Sequence, residues 1–198
     1  MSIVDTKRRM RASALAARRG AARITPDAGA LVADKFFSGF RDYLAAAPPQ
    51  VVSGYWPMGD EIDIVPLLRL LFLQDMACAL PVVVGKDRPL AFRRWHPGDE
   101  LAPGPFGASE PISDAAEIIP TLVLTPLLAF DRAGGRLGHG GGYYDRSLAG
   151  LRRDGSIKAV GVAFDAQEID EAPMNETDQR LDWVVTESRI IQCAGPKL

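Results

Sequence analysis

Residues 134–146 have the sequence GGRLGHGGGYYDR, in which six of the first nine residues are glycine. Glycine loses more backbone freedom on folding than any other residue, so a segment that keeps six of them has a use for bare backbone. Backbone N–H groups can approach a phosphate closely in such a segment, and a following helix offers its positive end. The charges of Arg136, Asp145 and Arg146 would suit a nucleotide and its metal ion. This segment, called the glycine loop below, therefore predicts a phosphate site.

The glycine loop does not follow the two common phosphate-binding patterns. It contains neither the Walker order GxxxxGK[ST] nor a strict GxGxxG. A flexible loop without a ligand is the alternative interpretation.

A pair of cations near the start of the chain has the spacing of a phosphate clamp. Lys7 and Arg11 are four residues apart, so on a helix they share one face. Both side chains could then hold one polyphosphate through charge-assisted hydrogen bonds. The alternative is a solvated basic face that also includes Arg8 and Arg18.

Two aspartates could supply the metal ligands. Asp145 directly follows the glycines, and Asp178 lies in an acidic ETD segment. Mg²⁺ takes one or two protein carboxylates together with phosphate oxygens and water, so two aspartates are sufficient. Two alternatives remain open: Asp145 could cap the following helix, and Asp178 could belong to a solvated acidic loop.

The elements that must position these groups alternate between helical and strand-like patterns. A helix is predicted from Asp5 or Thr6 to about Arg19, and a second from Thr25-Pro26-Asp27 to a point before Pro48-Pro49. A loop entering a helix is predicted over 61–76, a Pro/Gly-rich connection over 96–111, and a further helix after the glycine loop. Strands are predicted at 51–56, 78–84, 90–95, 121–130 with an interruption at Pro126, 158–164 and 181–187.

Near-continuous apolar strands between helices predict an α/β fold. Such strands are buried on both faces, which favours a three-layer arrangement of a mainly parallel sheet with helices on both sides. The length of 198 residues falls within one ordinary domain, so residues 1–198 are expected to form a single domain.

Composition excludes several classes of partner. A formal net charge of −2 gives no overall field for nucleic acid or a membrane surface, so any anion site must be local. The longest apolar runs are far shorter than a membrane span. Cys78 and Cys193 form neither a disulfide framework nor a metal motif, and we expect reduced thiols in a cytoplasmic protein. The Arg- and Ala-rich first 23 residues favour a basic amphipathic helix of the domain over a transit peptide.

The segment RLGHGGGYYDR closely resembles the RLG-x-G-x-GYYDR signature of the 5-formyltetrahydrofolate cyclo-ligase family, also called 5,10-methenyltetrahydrofolate synthetases. His139 occupies a variable position of that signature, but it is a departure from the relatives, which usually carry Tyr or Arg there. The resemblance extends over most of the chain and includes KRRMR (7–11), YWPMGDEID (55–63), GPFGASEP (104–111), PLLAFDRAGGRLG (126–138) and ETDQRLDWVVTE (176–187).

The resemblance implies a fold akin to the sugar-phosphate isomerase and CoA-transferase class. It also implies ATP and Mg²⁺ as reactants and 5-formyltetrahydrofolate as the substrate. The implied reaction transfers the terminal phosphate of ATP to the formyl oxygen, after which nitrogen 10 of the folate closes the ring and phosphate leaves. A transfer to so weak a nucleophile is mainly a problem of positioning and charge neutralisation.

The resemblance also implies roles for individual residues. Metal ligation falls to Asp145 and Asp178, and catalysis to Arg136 and Tyr144. The implied ATP-binding residues are Lys7, Arg8, Arg9, Met10, Arg11, Arg136, Leu137, Gly138, His139, Gly140, Gly141, Gly142, Tyr143 and Tyr144.

The folate site is implied at Glu61, with Trp56, Tyr143 and Tyr144. Tyr55, Trp56 and Met58 place flat and polarizable groups beside one carboxylate, which suits a pterin that offers ring N–H donors. Core packing is the alternative for the aromatic residues, and Trp95 and His96 are expected to have structural or pocket-wall roles.

Two other functions remain as alternatives: a non-catalytic folate or nucleotide binder, and an isomerase or CoA-transferase-like enzyme of the same fold. The second would need a carboxylate or lysine placed for proton abstraction or acyl transfer, and no such motif is evident. Small-molecule substrates are the expected partners, and the expected assembly is a monomer or a weak homo-oligomer.

Overall fold

The structure, a computed structural model, describes residues 3–45, 50–155 and 157–194, and these ranges contain four α-helices and eleven strands. The helices are α1 (Ile3–Ile24), α2 (Ala28–Ala45), α3 (Val65–Leu73) and α4 (Tyr143–Asp154). The strands are β1 (Val51–Ser53), β2 (Ala77–Val82), β3 (Ala91–Arg94), β4 (Leu101–Pro103), β5 (Ser109–Pro111), β6 (Leu122–Pro126), β7 (Ala129–Phe130), β8 (Arg136–Leu137), β9 (Lys158–Val162), β10 (Trp183–Val185) and β11 (Ile190–Gln192).

Seven of these strands form the central sheet, in the order β11-β10-β9-β6-β1-β2-β3. The five inner strands run parallel, with Val52 of β1 opposite Leu122 of β6 on one side and Cys78 of β2 on the other. The edge strands β3 and β11 are antiparallel to their neighbours. The predicted mainly parallel sheet is therefore confirmed.

Side chains from both faces of the sheet are buried under helices. Val52, Leu122 and Leu124 pack into one cluster with Phe36 of α2 and Leu68 of α3. On the other face, the alternate residues Val123, Ala159 and Val184 pack with Leu148 of α4. Successive residues of a strand point to opposite faces, so this alternation produces the three layers that the apolar strands predict.

The direction of chain progress reverses between β1 and β6. The connection β1–α3–β2 steps towards one edge of the sheet, whereas β6–α4–β9 steps towards the other. Ligands of open α/β sheets bind where the carboxyl ends of strands lie beside such a reversal. The Glu61 segment comes after β1, and β7 and then the glycine loop come after β6, so the two strands beside the reversal lead to the two candidate segments.

The first helix is longer than predicted. It continues through Gly20 from the expected end near Arg19 to Ile24. The packing of Ala21 and Ala22 against the core stabilises this last part of the helix. The start of the second helix after Thr25-Pro26-Asp27 is confirmed. Its predicted end before Pro48-Pro49 lies outside the described residues.

Four strands were not predicted from the sequence: β4, β5, β8 and β11. The connection 96–111 contains the hairpin of β4 and β5, and β11 forms an edge strand. The apolar run 121–130 breaks after Pro126, as expected, but β7 then leaves the main sheet and pairs with β8 inside the glycine loop. That hairpin positions Arg136.

None of the helices in the described ranges combines the length and the apolar character needed to cross a bilayer. Cys78 and Cys193 are both free thiols, and burial raises the pKa of each to about 12.

Candidate active site

A tight turn between β7 and β8 positions Arg136 in the candidate site. Asp131, which is buried, accepts backbone N–H bonds from Ala133 and Gly135, both at 2.8 Å. Gly134 has a φ of 85°, and a Cβ there would lie 2.4 Å from the carbonyl oxygen of Leu181. The turn between β7 and β8 therefore requires glycine at this position.

Arg136 is a buried cation held by two groups. Its Nη2 lies 2.6 Å from Asp145 Oδ1, and its Nη1 donates to the backbone carbonyl of Gln179. Burial lowers the pKa of Arg136, while the negative charges of Asp145 and Asp178 oppose that shift. The guanidinium therefore stays charged and fixed in direction, as a phosphate-facing cation must.

The glycine loop ends at the positive end of α4. Gly142 is the residue that precedes the helix, with φ 67° and ψ 10°, and no side chain caps this end. Gly140 also has a positive φ, of 102°. Asp145 lies in the first turn but bonds to Arg136 and the Gln179 N–H instead of capping the helix. The first-turn N–H groups thus remain free of side-chain caps, which favours an anion there.

Lys7 and Arg11 both reach this region from α1, as their spacing predicts. Arg11 Nε donates to the carbonyl of Gly138 at 2.8 Å, and a Cβ on Gly140 would lie 3.2 Å from the Arg11 guanidinium carbon. Lys7 Nζ forms an ion pair with Asp178 Oδ2. The two cations therefore border the glycine loop and the acidic segment.

The interpretation of Arg18 as part of a solvated basic face is wrong. Arg18 is 5% exposed, and its Nη1 lies 3.4 Å from Glu61 Oε1. The sequence could have indicated that Arg18 lies on the same face as the phosphate cations. At helical spacing, one stripe contains Lys7, Arg11, Ala14 and Arg18. This stripe makes α1 the common support of both candidate binding sites.

Glu61 lies on the floor of the implied folate site, with only 3% of its side chain exposed. Its Oε2 accepts the Met58 N–H at 3.0 Å, and Nε2 of His139 lies 3.8 Å from Oε1. Part of the glycine loop therefore lies next to Glu61.

Two tyrosines lie near Glu61. Burial raises the pKa of Tyr144, and the Glu61 charge raises it further, while Arg136 lowers it. Tyr55 shows the same pattern: burial and then Glu61 raise its pKa, and its hydroxyl donates to the Ile62 carbonyl at 2.9 Å. Tyr144 stays protonated, and its pKa responds to the charges of both Glu61 and Arg136.

The other aromatic residues have the expected kinds of contact. Trp56 packs edge-on against the buried Trp95, with ring centroids 6.3 Å apart. Tyr143 lies under the Arg146 guanidinium at 5.0 Å and 6.0 Å from the ring of Phe106, which comes from the β4–β5 hairpin. Trp95 is therefore a buried core residue, whereas Tyr143 is partly exposed.

Asp145 and Asp178 approach each other through Gln179. The Gln179 N–H donates to Asp145 Oδ1 at 2.9 Å, and Asp178 is its chain neighbour. Within the described ranges, no group of three or more His, Cys, Asp or Glu side chains is arranged to hold a metal. The two hard carboxylate donors nevertheless fit an ion that takes one or two protein ligands and keeps phosphate and water oxygens.

In the structure, Arg8 and Arg9 do not join the charged residues that surround the glycine loop. The Arg8 side chain is 79% exposed and lies near Asp5, while Arg9 and Met10 line a separate cavity of about 350 Å³ with Leu128 and Gln167. Their assignment to ATP stays a prediction.

Sequence reasoning missed Gln179 and Arg152. Gln179 contacts Arg136 and Asp145 through its backbone carbonyl and N–H, and the identity of a side chain does not predict such backbone contacts. Arg152 Nη1 donates to Gln179 Oε1 at 3.2 Å, a contact that only the packing of α4 creates.

Comparison with known proteins finds relatives that match most of the chain. The sequence matches the family described as the 5-formyltetrahydrofolate cyclo-ligase family over residues 4–187. The 5-formyltetrahydrofolate cyclo-ligase of Escherichia coli K12 is 34% identical over 152 residues, which cover 72% of this chain and 83% of that protein. That of Mycolicibacterium smegmatis is 31% identical over 152 residues, which cover 71% and 75%.

Solved structures give the same result. The 5,10-methenyltetrahydrofolate synthetase of Aquifex aeolicus superposes with a TM-score of 0.66 at 26% identity, over 93% of this chain and 95% of that one. The synthetase of Mycoplasma pneumoniae shares the fold, with a TM-score of 0.68 at 20% identity over 91% and 98%. The family match over residues 4–187, together with relatives that are 34% and 31% identical, shows that this chain belongs to the 5-formyltetrahydrofolate cyclo-ligase family.

Proposed function

We propose that this chain converts 5-formyltetrahydrofolate to 5,10-methenyltetrahydrofolate and that ATP, bound with Mg²⁺, drives the conversion. The observation that carries the proposal is the contact between the glycine loop and the Glu61 site, where Nε2 of His139 lies 3.8 Å from Glu61 Oε1. A nucleotide phosphate held by the glycine loop and a folate at Glu61 would therefore lie next to each other. The domain that performs the reaction is residues 1–198, and we expect it in the cytoplasm.

The nucleotide side of the proposal rests on converging cations and backbone donors. Arg11 donates to the Gly138 carbonyl of the glycine loop, and Arg136 belongs to that loop and pairs with Asp145. Lys7 pairs with Asp178, next to the Gln179 backbone that Arg136 and Asp145 contact. The open positive end of α4 adds backbone N–H donors. We assign the phosphates of ATP to this position.

The folate side rests on the buried carboxylate of Glu61. One of its oxygens already accepts the Met58 N–H at 3.0 Å, whereas the contacts of the other with Arg18 and His139 are longer, at 3.4 and 3.8 Å. These long contacts leave room for a ring N–H donor to bond more closely. We assign the pterin to this position, with Trp56, Tyr143 and Tyr144 along its faces.

The reaction balances without a further reactant. The formyl oxygen attacks the terminal phosphorus of ATP, the bond from that phosphorus to the bridging oxygen breaks, and ADP leaves. Nitrogen 10 then attacks the activated carbon and loses its proton, and inorganic phosphate leaves with the former formyl oxygen. Arg136 neutralises charge on the transferred group, and the Tyr144 hydroxyl donates a hydrogen bond near the formyl oxygen.

Asp145 and Asp178 would hold the metal ion. Both contacts of Asp145 use Oδ1, so Oδ2 is the oxygen that remains for a ligand. When bound, Mg²⁺ neutralises phosphate charge and orients the polyphosphate. Lys7, now paired with Asp178, would turn to the phosphates.

The deciding experiment mixes the purified protein with ATP, Mg²⁺ and 5-formyltetrahydrofolate. We expect the absorption band of the methenyl product, with one ADP released for each product molecule, because phosphate is installed and expelled in one cycle. Formation of the band without ATP would replace this mechanism with simple cyclisation. ADP release at the same rate without the folate would indicate an ATPase with another target, and binding of both ligands without turnover would indicate a non-catalytic binder.

A further inference from the structure

The backbone of Gln179 connects two charged side chains of the site. Its N–H donates to Asp145 Oδ1 at 2.9 Å, and its carbonyl accepts a bond from Arg136 Nη1. The preceding residue, Asp178, pairs with Lys7. The position of residues 178–180 therefore sets the geometry of Arg136, Asp145 and the Lys7 ion pair together.

Arg152 holds this segment from the side of α4. Its Nη1 donates to Gln179 Oε1 at 3.2 Å, and its Nη2 donates to the Arg180 carbonyl at 2.8 Å and to Asp182 Oδ2 at 2.9 Å. Arg152 lies about two helical turns after Asp145, so the two residues share one face of α4. The same helix thus carries Asp145 and the side chain that anchors Asp145's backbone partner.

We propose that Arg152 is a positioning residue, which fixes residues 178–180 so that Gln179 orients Arg136 and Asp145 for phosphoryl transfer. The consequence for rate rests on the proposed function, whereas the positional claim does not. The reaction depends on alignment, and a small displacement of aligned groups can lower the rate by about a hundredfold.

The geometry requires arginine and not merely a positive charge. The three acceptors belong to Gln179, Arg180 and Asp182, and a planar guanidinium with separate N–H donors can reach all of them. A lysine ammonium at the same place keeps the charge but cannot span the set. Arg152→Lys therefore separates positioning from simple electrostatics.

Hydrogen exchange tests the positional claim directly. In Arg152→Ala, we expect the Gln179 amide to exchange about tenfold faster, since the segment opens locally more often, while the Leu124 amide in central β6 is unchanged. Arg153→Ala is the matched control, because Arg153 is the next residue of α4 and is exposed. Unchanged exchange at Gln179 would overturn the proposal, and so would equal acceleration at Leu124, which would indicate a general loss of stability.

Kinetics test the consequence. We expect Arg152→Ala to lower kcat by about tenfold to a hundredfold, and Arg152→Lys to restore little of it. The KM for the folate should stay within about twofold, because the contacts of Arg152 lie on the Arg136 and Asp145 side and not at Glu61. Full recovery in Arg152→Lys would overturn the proposal in favour of a charge effect. An inactive wild-type protein would refute the proposed function instead, and the exchange result would still decide the positional claim.

Discussion

At the scale of single residues, Lys7 and Arg11 are the first cations to test. A charge-assisted hydrogen bond contributes about 1.5–3 kcal/mol, so Lys7→Ala or Arg11→Ala should each weaken binding of a magnesium–nucleotide analogue by about tenfold or more. Isothermal titration calorimetry measures this affinity. Both substitutions lie on the polar stripe of α1 and leave its apolar contacts intact, so the fold should persist.

Arg23→Ala is the control for this pair. Arg23 is an exposed cation in the last turn of the same helix, so its removal changes the net charge equally. Wild-type affinity in Lys7→Ala and Arg11→Ala would return that face of α1 to a solvated or purely structural role.

Asp145 is the second residue to test. Asp145→Asn keeps the shape and one acceptor but removes the charge that a hard cation prefers, so metal-dependent turnover should be lost. It also removes the carboxylate that faces the buried Arg136 at 2.6 Å. Activity titrated against Mg²⁺ concentration measures the effect, and full activity with an unchanged magnesium requirement would refute the assignment. A helix-cap role predicts near wild-type rate and stability instead, since Asn caps as well as Asp.

At the scale of elements, α1 contributes to two neighbouring ion pairs that differ in burial. Arg18 and Glu61 have side-chain exposures of 6% and 3%, whereas the adjacent pair of Arg19 and Asp60 has exposures of 62% and 38%. Removing one partner of a buried pair leaves an uncompensated charge, so Arg18→Ala should lower the free energy of unfolding by about 3 kcal/mol. Arg19→Ala should lower it by less than about 1 kcal/mol.

Urea unfolding of the two variants measures both values. Equal losses of unfolding free energy in the two variants would mean that the Arg18–Glu61 pair contributes no more to stability than the exposed pair of Arg19 and Asp60. A larger effect for Arg18 would instead support α1 as the element that anchors the Glu61 segment.

At the scale of the whole molecule, a charged network joins the last edge strand to the segment after β9. Burial raises the pKa of Asp165, but hydrogen bonds from Ser188, Thr186 and Arg189 outweigh it and lower the pKa overall. The hydrogen bond from Arg132 lowers the pKa of Glu168, and Arg189 lowers it further. Both groups therefore stabilise the fold above their usual pKa values of 3.8 and 4.5, and that contribution is lost as the pH falls through the lower folded values.

The predicted result is a difference between pH ranges. Arg189→Gln should lower the Tm at pH 7 more than at a pH below both folded values, where the carboxyl groups are protonated in either protein. Thermal unfolding across the acid range measures this difference. An equal loss of Tm at every pH would mean that Arg189 acts through packing and not through its charge.

The sequence by itself determined the layers of the fold and indicated the family. Apolar strands such as 158–164 between amphipathic helices can only be buried by helices on both faces, so the mainly parallel sheet followed from local pattern. The spacing of Lys7 and Arg11 determined that both would share a helix face. The glycine-rich signature of residues 134–146 carried the family resemblance, and the proposed binding of phosphate by its backbone stays a prediction.

Tertiary structure alone decided which charges meet. Arg18 and Glu61 are 43 residues apart, and Arg136 and the Gln179 carbonyl are also 43 apart, so no local pattern pairs them. The turn that joins the short strands β7 and β8 is held by Asp131, which accepts N–H bonds within the turn. It also depends on a later segment, because the Ala172 N–H donates to Asp131 and the Leu181 backbone packs against Gly134. Arg152 reaches Gln179 and Arg180 only because α4 packs beside the segment before β10. Helix and strand propensities act over a few residues, whereas a buried charge is decided by whichever distant partner the closed fold brings within hydrogen-bond distance.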